Sequence, residues 1–150
     1  QVAQESESVE SCLEPISQAF GESFCAETCI LQLVENNTLA EARGTYTTSE
    51  IIINCLDKDP LVQKAIANHE LQVWVNAPGA TPIAGTEDYE ACGIQAHLLV
   101  PIIYRGELLA VISLQWKQRK TPLREDELKL IHLSAQQVGL ALTVNRSHQS

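Results

Sequence analysis

Apolar positions in the first twenty residues keep a helical step. Val2, Val9, Leu13, Ile16 and Phe20 are separated by 7, 4, 3 and 4 residues, which places one apolar stripe on a helix over 2–20. Pro15 falls inside that stripe. An interior proline costs about 3 kcal/mol, so a kink or a fresh helix start is expected there, with Gly21 as the C-cap. The pattern then changes. Residues 29–34 form a continuous apolar run with β-branched members, a strand. Glu35-Asn36-Asn37-Thr38 is a turn signal, and 39–46 reads as the partner strand of a hairpin. Asp59-Pro60 opens a short helix over 61–68, with proline near the first helical position. Residues 71–75 read as a short strand. Pro78, Gly79 and Pro82 make 76–85 a loop, and 86–93 allows one helical turn capped by Thr86.

Two apolar runs follow, 97–104 and 108–116, joined by Arg105-Gly106-Glu107. Apolar residues at odd and even positions mean that both strand faces are covered, so this is a central hairpin. Pro101 lacks an N–H, which predicts an interrupted ladder or a bulge beside it. Thr121-Pro122 opens the last helix, with Glu125, Asp126 and Glu127 near its positive end, and the pattern runs to about Asn145. Leu128, Ile131, Ala135, Val138 and Leu142 step by 3, 4, 3 and 4. Leu130, Leu133 and Leu140 add a second apolar edge, so this helix faces its own sheet and also a partner. Antiparallel strands flanked by helices make the fold class α+β.

Composition narrows the function classes. The 150 residues are 45% hydrophobic and 19% charged, which suits one soluble domain with a real core. No apolar run approaches the roughly 18–20 residues of a membrane span. The polar, acidic start is neither a signal nor a transit peptide, and a cytoplasmic location is expected. Residues 1–57 hold ten acids against one base, Arg43, and so carry the whole formal net charge of −9. That balance disfavours nucleic acid, whose phosphates need cationic partners. The cluster Lys117, Arg119, Lys120 and Arg124 reads as a solvated turn.

At 97–116 the chain resembles the GAF family. The likeness rests on Leu98-Leu99-Val100-Pro101-Ile102, on Arg105-Gly106-Glu107-Leu108, and on 109–113. The closing segments Arg124-Glu125-Asp126-Glu127-Leu128 and Gln136-Gln137-Val138-Gly139-Leu140-Ala141-Leu142 are similar to that family's final helix. The resemblance covers about 11–145, and its last third is the motif-specific part. The style is that of bacterial, especially cyanobacterial, signalling proteins. It implies a PAS-related antiparallel sheet of five or six strands. The terminal helices lie on one face, and short helices and loops cover a small-molecule pocket on the other. It further implies a domain cut from a longer protein, often a histidine kinase of a two-component system, which dimerises through the terminal helices. Leu128, Ile131, Ala135, Val138 and Leu142 are the expected relay and dimer positions.

In bilin-binding phytochromes and cyanobacteriochromes the chromophore-bearing cysteine lies about twelve residues before the residue matched by Ala96. Ala84 stands there. Cys92 is displaced from that place, so no covalent bilin is expected. Trp74, Asp88, Tyr89, Cys92 and His97 are the pocket candidates. His97 reads rather as a satisfied structural histidine than as a ligand contact. Five cysteines (Cys12, Cys25, Cys29, Cys55 and Cys92) sit in mainly apolar surroundings, and most are expected to be reduced core thiols. Cys25 and Cys29 lack the second pair of a zinc site, and the four thiolates an iron–sulfur cluster needs, though available by count, show no signature spacing. No metal is expected. His132 lacks the acidic and Arg-Thr-Pro-like run that follows a transmitter histidine, and reads as an exposed helix residue. No nucleophile–base pair or glycine-rich phosphate loop is present. A GAF-like enzyme reduces methionine sulfoxide, but its characteristic cysteine-bearing stretches are absent from this sequence. The expectation is a non-enzymatic sensory domain that binds a small molecule or relays a signal. The alternatives are a sensor bearing bilin, haem or an iron–sulfur cluster, and a ligand-free dimerising spacer.

Overall fold

A computed structural model describes residues 2–48, 50, 53–76, 86, 89, 91–118 and 123–147. Helix α1 spans Val2–Ser23. Strands β1 (Thr28–Glu35) and β2 (Thr38–Thr47) follow, then helix α2 (Pro60–Asn68) and strand β3 (Gln72–Val75). Strands β4 (Ala96–Tyr104) and β5 (Glu107–Trp116) precede the last helix, α3 (Glu125–Ser147). The five strands form one antiparallel sheet in the order β2-β1-β5-β4-β3. The β4–β5 hairpin is therefore interior, as its two-sided apolar pattern requires. Both hairpin turns take left-handed backbone at two successive residues, Asn36 and Asn37 in one, Arg105 and Gly106 in the other. That conformation matches the twist of paired strands, and asparagine and glycine tolerate it.

The sheet has two differently built faces. On one, Leu31 of β1, Leu98, Val100 and Ile102 of β4, and Ile112 and Leu114 of β5 pack with α1 and α3. The approach of α1 is close. A Cβ at Gly44 of β2 would lie 2.2 Å from the Leu13 backbone carbon, so only glycine fits. Ser17, fully buried, bridges the two layers: its hydroxyl donates to the Gly44 carbonyl (2.8 Å) and accepts from the Leu31 N–H (3.1 Å). On the other face Ile30, Leu99 and Val111 pack with Leu56, Tyr89, Ile94 and the buried side of α2.

Several expectations are corrected. Helix α1 is continuous through Pro15, which sits on its exposed side, where a lost ladder bond disrupts no packing. Gly21 is inside the helix, not at its cap. The cap is Cys25, left-handed at φ 55, with Ala26 N–H donating to Gly21 O and Cys25 N–H to Glu22 O in a Schellman pattern. Gly21 is small because Tyr46 lies over it, 2.5 Å from where a Cβ would be. The irregularity expected beside Pro101 is present: the register shifts between Ile102 and Ile103, and β3 pairs with β4 only as far as Leu99. Of the five cysteines only Cys29 is a core thiol; Cys12 is half-buried, and Cys25, Cys55 and Cys92 are exposed because they occupy a helix cap, a crossover segment and a tight turn. Ile131, Ala135, Val138 and Leu142 are buried against the chain's own sheet, and Leu128 is half-buried, so this stripe is not the free face of α3. The exposed apolar positions of α3 are Leu130 (57%), Leu133 (57%), Leu140 (51%) and Val144 (48%). The loop expected over 76–85, with Ala84, lies mostly outside the described residues, as do Asp88 and Thr121-Pro122.

Candidate functional site

The face opposite the terminal helices contains a run of buried polar groups. Three strands, a turn and a helix start converge on His97. Alternation along β4 turns His97 away from α3 while Leu98 faces it. Ser113 and Gln115 of β5 lie two residues apart and so share the His97 face. Trp74 of β3 is the register partner of His97. Tyr89 reaches in from the segment ahead of β4, where its N–H donates to Thr86 O. Asp59 reaches in from the start of α2.

The hydrogen bonds have a fixed direction. Tyr89 Oη donates to Asp59 Oδ2 at 2.5 Å. The hydroxyl can then only accept from His97 Nδ1, 2.8 Å away, so Nδ1 carries the proton. Nε2 is left bare and accepts from Ser113 Oγ at 2.7 Å. Ser113 Oγ accepts from Gln115 Nε2 at 3.0 Å. Gln115 also grips the backbone of Ile53 from both sides: Nε2 donates to Ile53 O (3.0 Å) and Oε1 accepts from Ile53 N–H (2.8 Å). At the far end Asp59 Oδ1 caps α2 through the N–H groups of Leu61 (2.9 Å) and Val62 (3.3 Å). The chain thus runs without a break from the crossover segment at Ile53 to the N-terminus of α2.

Burial makes this arrangement demanding. His97, Ser113 and Gln115 are fully buried, and Tyr89 and Asp59 nearly so. A polar group left unpaired in such a place costs about 1–3 kcal/mol, so each bond secures its neighbour. Burial lowers the His97 pKa to about 4, although the Asp59 carboxylate, 3.9 Å from Nδ1, acts in the opposite sense. Burial, together with the bond to Asp59 and its charge, pushes the Tyr89 hydroxyl well above the usual phenol range. The imidazole is accordingly neutral at ordinary pH. The Tyr89 ring stands edge-on to both Trp74 (4.9 Å between centroids) and His97 (5.1 Å).

Of the residues singled out from sequence, Trp74, Tyr89 and His97 are brought together. Cys92 is exposed on the turn that follows Tyr89, and Asp88 lies outside the described residues. Asp59, Ser113 and Gln115 were missed. Asp59 had been read only as part of a helix start. Ser113 and Gln115 did leave a signal: two polar residues with period two inside an otherwise apolar strand. The crossover segment has a second fastening, because the Arg43 guanidinium of β2 donates to the Asn54 carbonyl and side-chain oxygens. Among the described residues no group of three or more His, Cys, Asp or Glu side chains is placed to hold a metal.

A GAF domain family profile matches residues 5–143. The chain belongs to the GAF domain family. None of the curated proteins matches its sequence. Three solved structures illustrate what the fold accommodates. The GAF domain region of a Geobacter sulfurreducens protein is 15% identical, with a TM-score of 0.78 over 95% of this chain and 98% of that one. A red/green cyanobacteriochrome in its green-light-absorbing state is 19% identical, with a TM-score of 0.69 over 95% and 98%. A type II free methionine-R-sulfoxide reductase from Thermoplasma acidophilum is 14% identical, with a TM-score of 0.67 over 92% and 94%. A photoreceptor domain and an enzyme share this GAF architecture, so function must be argued from the residues.

Proposed function

We propose that this GAF domain is a non-catalytic regulatory sensor whose input face bears His97, Tyr89 and Asp59 and whose output element is α3. One observation carries the reading. Strand β4 presents His97 to the polar chain on one face and Leu98, Val100 and Ile102 to the core shared with Ile131, Ala135, Val138 and Leu142 on the other. A shift of β4 caused at the input face therefore meets α3 directly. A tightly packed interior transmits such a shift rather than absorbing it. The proposed partner is a second copy meeting the exposed edge of α3, and the proposed output is a domain of the histidine kinase kind in a longer cytoplasmic protein. No helix among the described residues is long and apolar enough to cross a membrane.

The absence of catalysis is part of the proposal. Its support is that both nitrogens of His97 are engaged by protein groups in a fully buried place. No covalent bilin is proposed either, because Ala84 occupies the place of the expected cysteine. A second reading, a ligand-free spacer, is favoured by the described side chains of the input face, which pack on one another as a second core. Native mass spectrometry of the purified protein, followed by amide exchange with any retained or screened small molecule, separates the two. The sensor reading expects a bound molecule that changes exchange in both β4 and α3. A molecule that binds at the input face and leaves α3 unchanged sinks the relay. No retained or screened ligand, with a closed input face, supports the spacer.

A further inference from the structure

We propose that the polar chain is a proton-operated latch, in which the protonation state of His97 decides whether the 53–56 segment stays clamped to the sheet. The inference rests on reading this face as the input face, and names what holds it shut. It follows from the direction of the hydrogen bonds. In the closed state Ser113 Oγ donates to His97 Nε2 and accepts from Gln115 Nε2. A proton added at Nε2 turns that nitrogen into a donor. Ser113 Oγ then accepts from both neighbours, and its own O–H loses its acceptor among the described residues. Rotating the Gln115 amide would offer Oε1 to that O–H, but Oε1 holds the Ile53 N–H and Nε2 holds the Ile53 carbonyl. Protonation therefore either strands a buried hydroxyl or releases Ile53. Release is the escape that leads to water, since Asn54 and Cys55 beside it are exposed. Leu56, fully buried next in the chain, would follow and uncover the second core.

The groups around His97 set the balance. Asp59, ahead of α2, is the charged group at 3.9 Å, and Tyr89 is the titratable group from the segment ahead of β4. Strand β3 presents Trp74 and β5 presents Ser113 and Gln115, none of which titrates in the accessible range. Helix α2 turns Leu61, Val62, Ala65 and Ile66 inward. Glu87, Asp88 and Glu90 lie outside the described residues. The neutral state is favoured by burial, which holds the imidazole below its ordinary range. The latch is thus shut at neutral pH and loosens on acidification. A ligand group that donates to Nε2 in place of the proton would act in the same sense.

Amide exchange of the whole chain without ligand, corrected for intrinsic rates, reads the latch separately from any input role. Between pH 7 and 5 the protection of residues 53–56 is expected to fall about tenfold or more, with that of β5 retained. Ser113→Ala removes the hydroxyl through which the proton acts, and is expected to abolish this pH dependence. Imidazole nitrogen shifts are expected to show the Nδ1–H tautomer at pH 7. An Nε2–H tautomer, pH-independent protection of 53–56, or a fall shared equally by β5 would overturn the proposal. Ser113→Ala with unchanged acid sensitivity would also overturn it. If the latch behaves as stated but no ligand engages this face, the input role fails and the latch stands.

Discussion

His97 links folding to pH through its buried imidazole. Its folded pKa is depressed from 6.5 to about 4, so the folded state resists a proton that the unfolded chain accepts. The contribution to stability is full above about pH 6.5, falls as pH drops towards 4, and levels off below it. The difference of about 2.5 units corresponds to on the order of 3 kcal/mol. Urea unfolding at pH 7 and pH 4.5 is expected to show a loss of most of this amount, with a much smaller loss in His97→Gln. Equal acid sensitivity in the two proteins would remove His97 as the cause. Cysteine chemistry is decided at the same scale. Burial pushes the Cys29 thiol up to about 12, while Cys25, Cys55 and Cys92 stand in solvent. The thiolate is the reactive species. A maleimide is therefore expected to label these three in the native protein, and Cys29 only after denaturation. Native labelling of Cys29 at a comparable rate would contradict its placement.

Helix α3 has two apolar edges, one buried and one exposed. The edge containing Ile131, Ala135, Val138 and Leu142 belongs to the chain's own core. The other edge, Leu130, Leu133, Gln137, Leu140 and Val144, steps by 3, 4, 3 and 4 along an exposed face. That spacing is a heptad seam with one polar member, the pattern by which helices pair and fix their register. Beside it, Ser134, Gln137 and Ala141 line a groove together with Ile16, Ala19 and Phe20 of α1. Sedimentation of the wild type is expected to show a dimer. The double variant Leu133→Glu, Leu140→Glu is expected to be monomeric with an unchanged melting temperature in the dilute limit, since neither side chain enters the core. A wild type that stays monomeric at high concentration would remove the dimeric relay.

Across the molecule, the sheet is the common wall between a layer held by buried polar bonds and a helical layer. The helical layer depends on Gly44, where the α1 backbone rests on β2. Any Cβ there must push α1 away, because the nearest atoms are backbone and cannot rotate aside. Gly44→Ala is expected to cost about 2–3 kcal/mol, and to increase exchange in α1 and β2 before it affects α2. Stability within 0.5 kcal/mol of wild type, by the same unfolding assay, would show that α1 is docked more loosely than the structure has it. The opposite layer depends instead on polar bonds among distant segments, and a change of pH that alters His97 is expected to act there first.

The order of the elements, the central place of the β4–β5 hairpin and the two apolar edges of α3 follow from period and turn chemistry, which are local properties of the chain. The left-handed turns at Asn36-Asn37 and Arg105-Gly106 belong to the same class. The GAF resemblance extends that legibility to the family. Other features depended on packing. Sequence alone did not reveal which apolar edge of α3 meets the sheet, or that Gly21 is small because of Tyr46. Nor did it show that Asp59, Tyr89, His97, Ser113 and Gln115 form one chain of bonds. The grip of Gln115 on Ile53 spans 62 residues. No periodicity records a partner at that distance. It exists only because the tertiary fold brings the crossover segment over β5, where burial then requires every polar atom to find its bond.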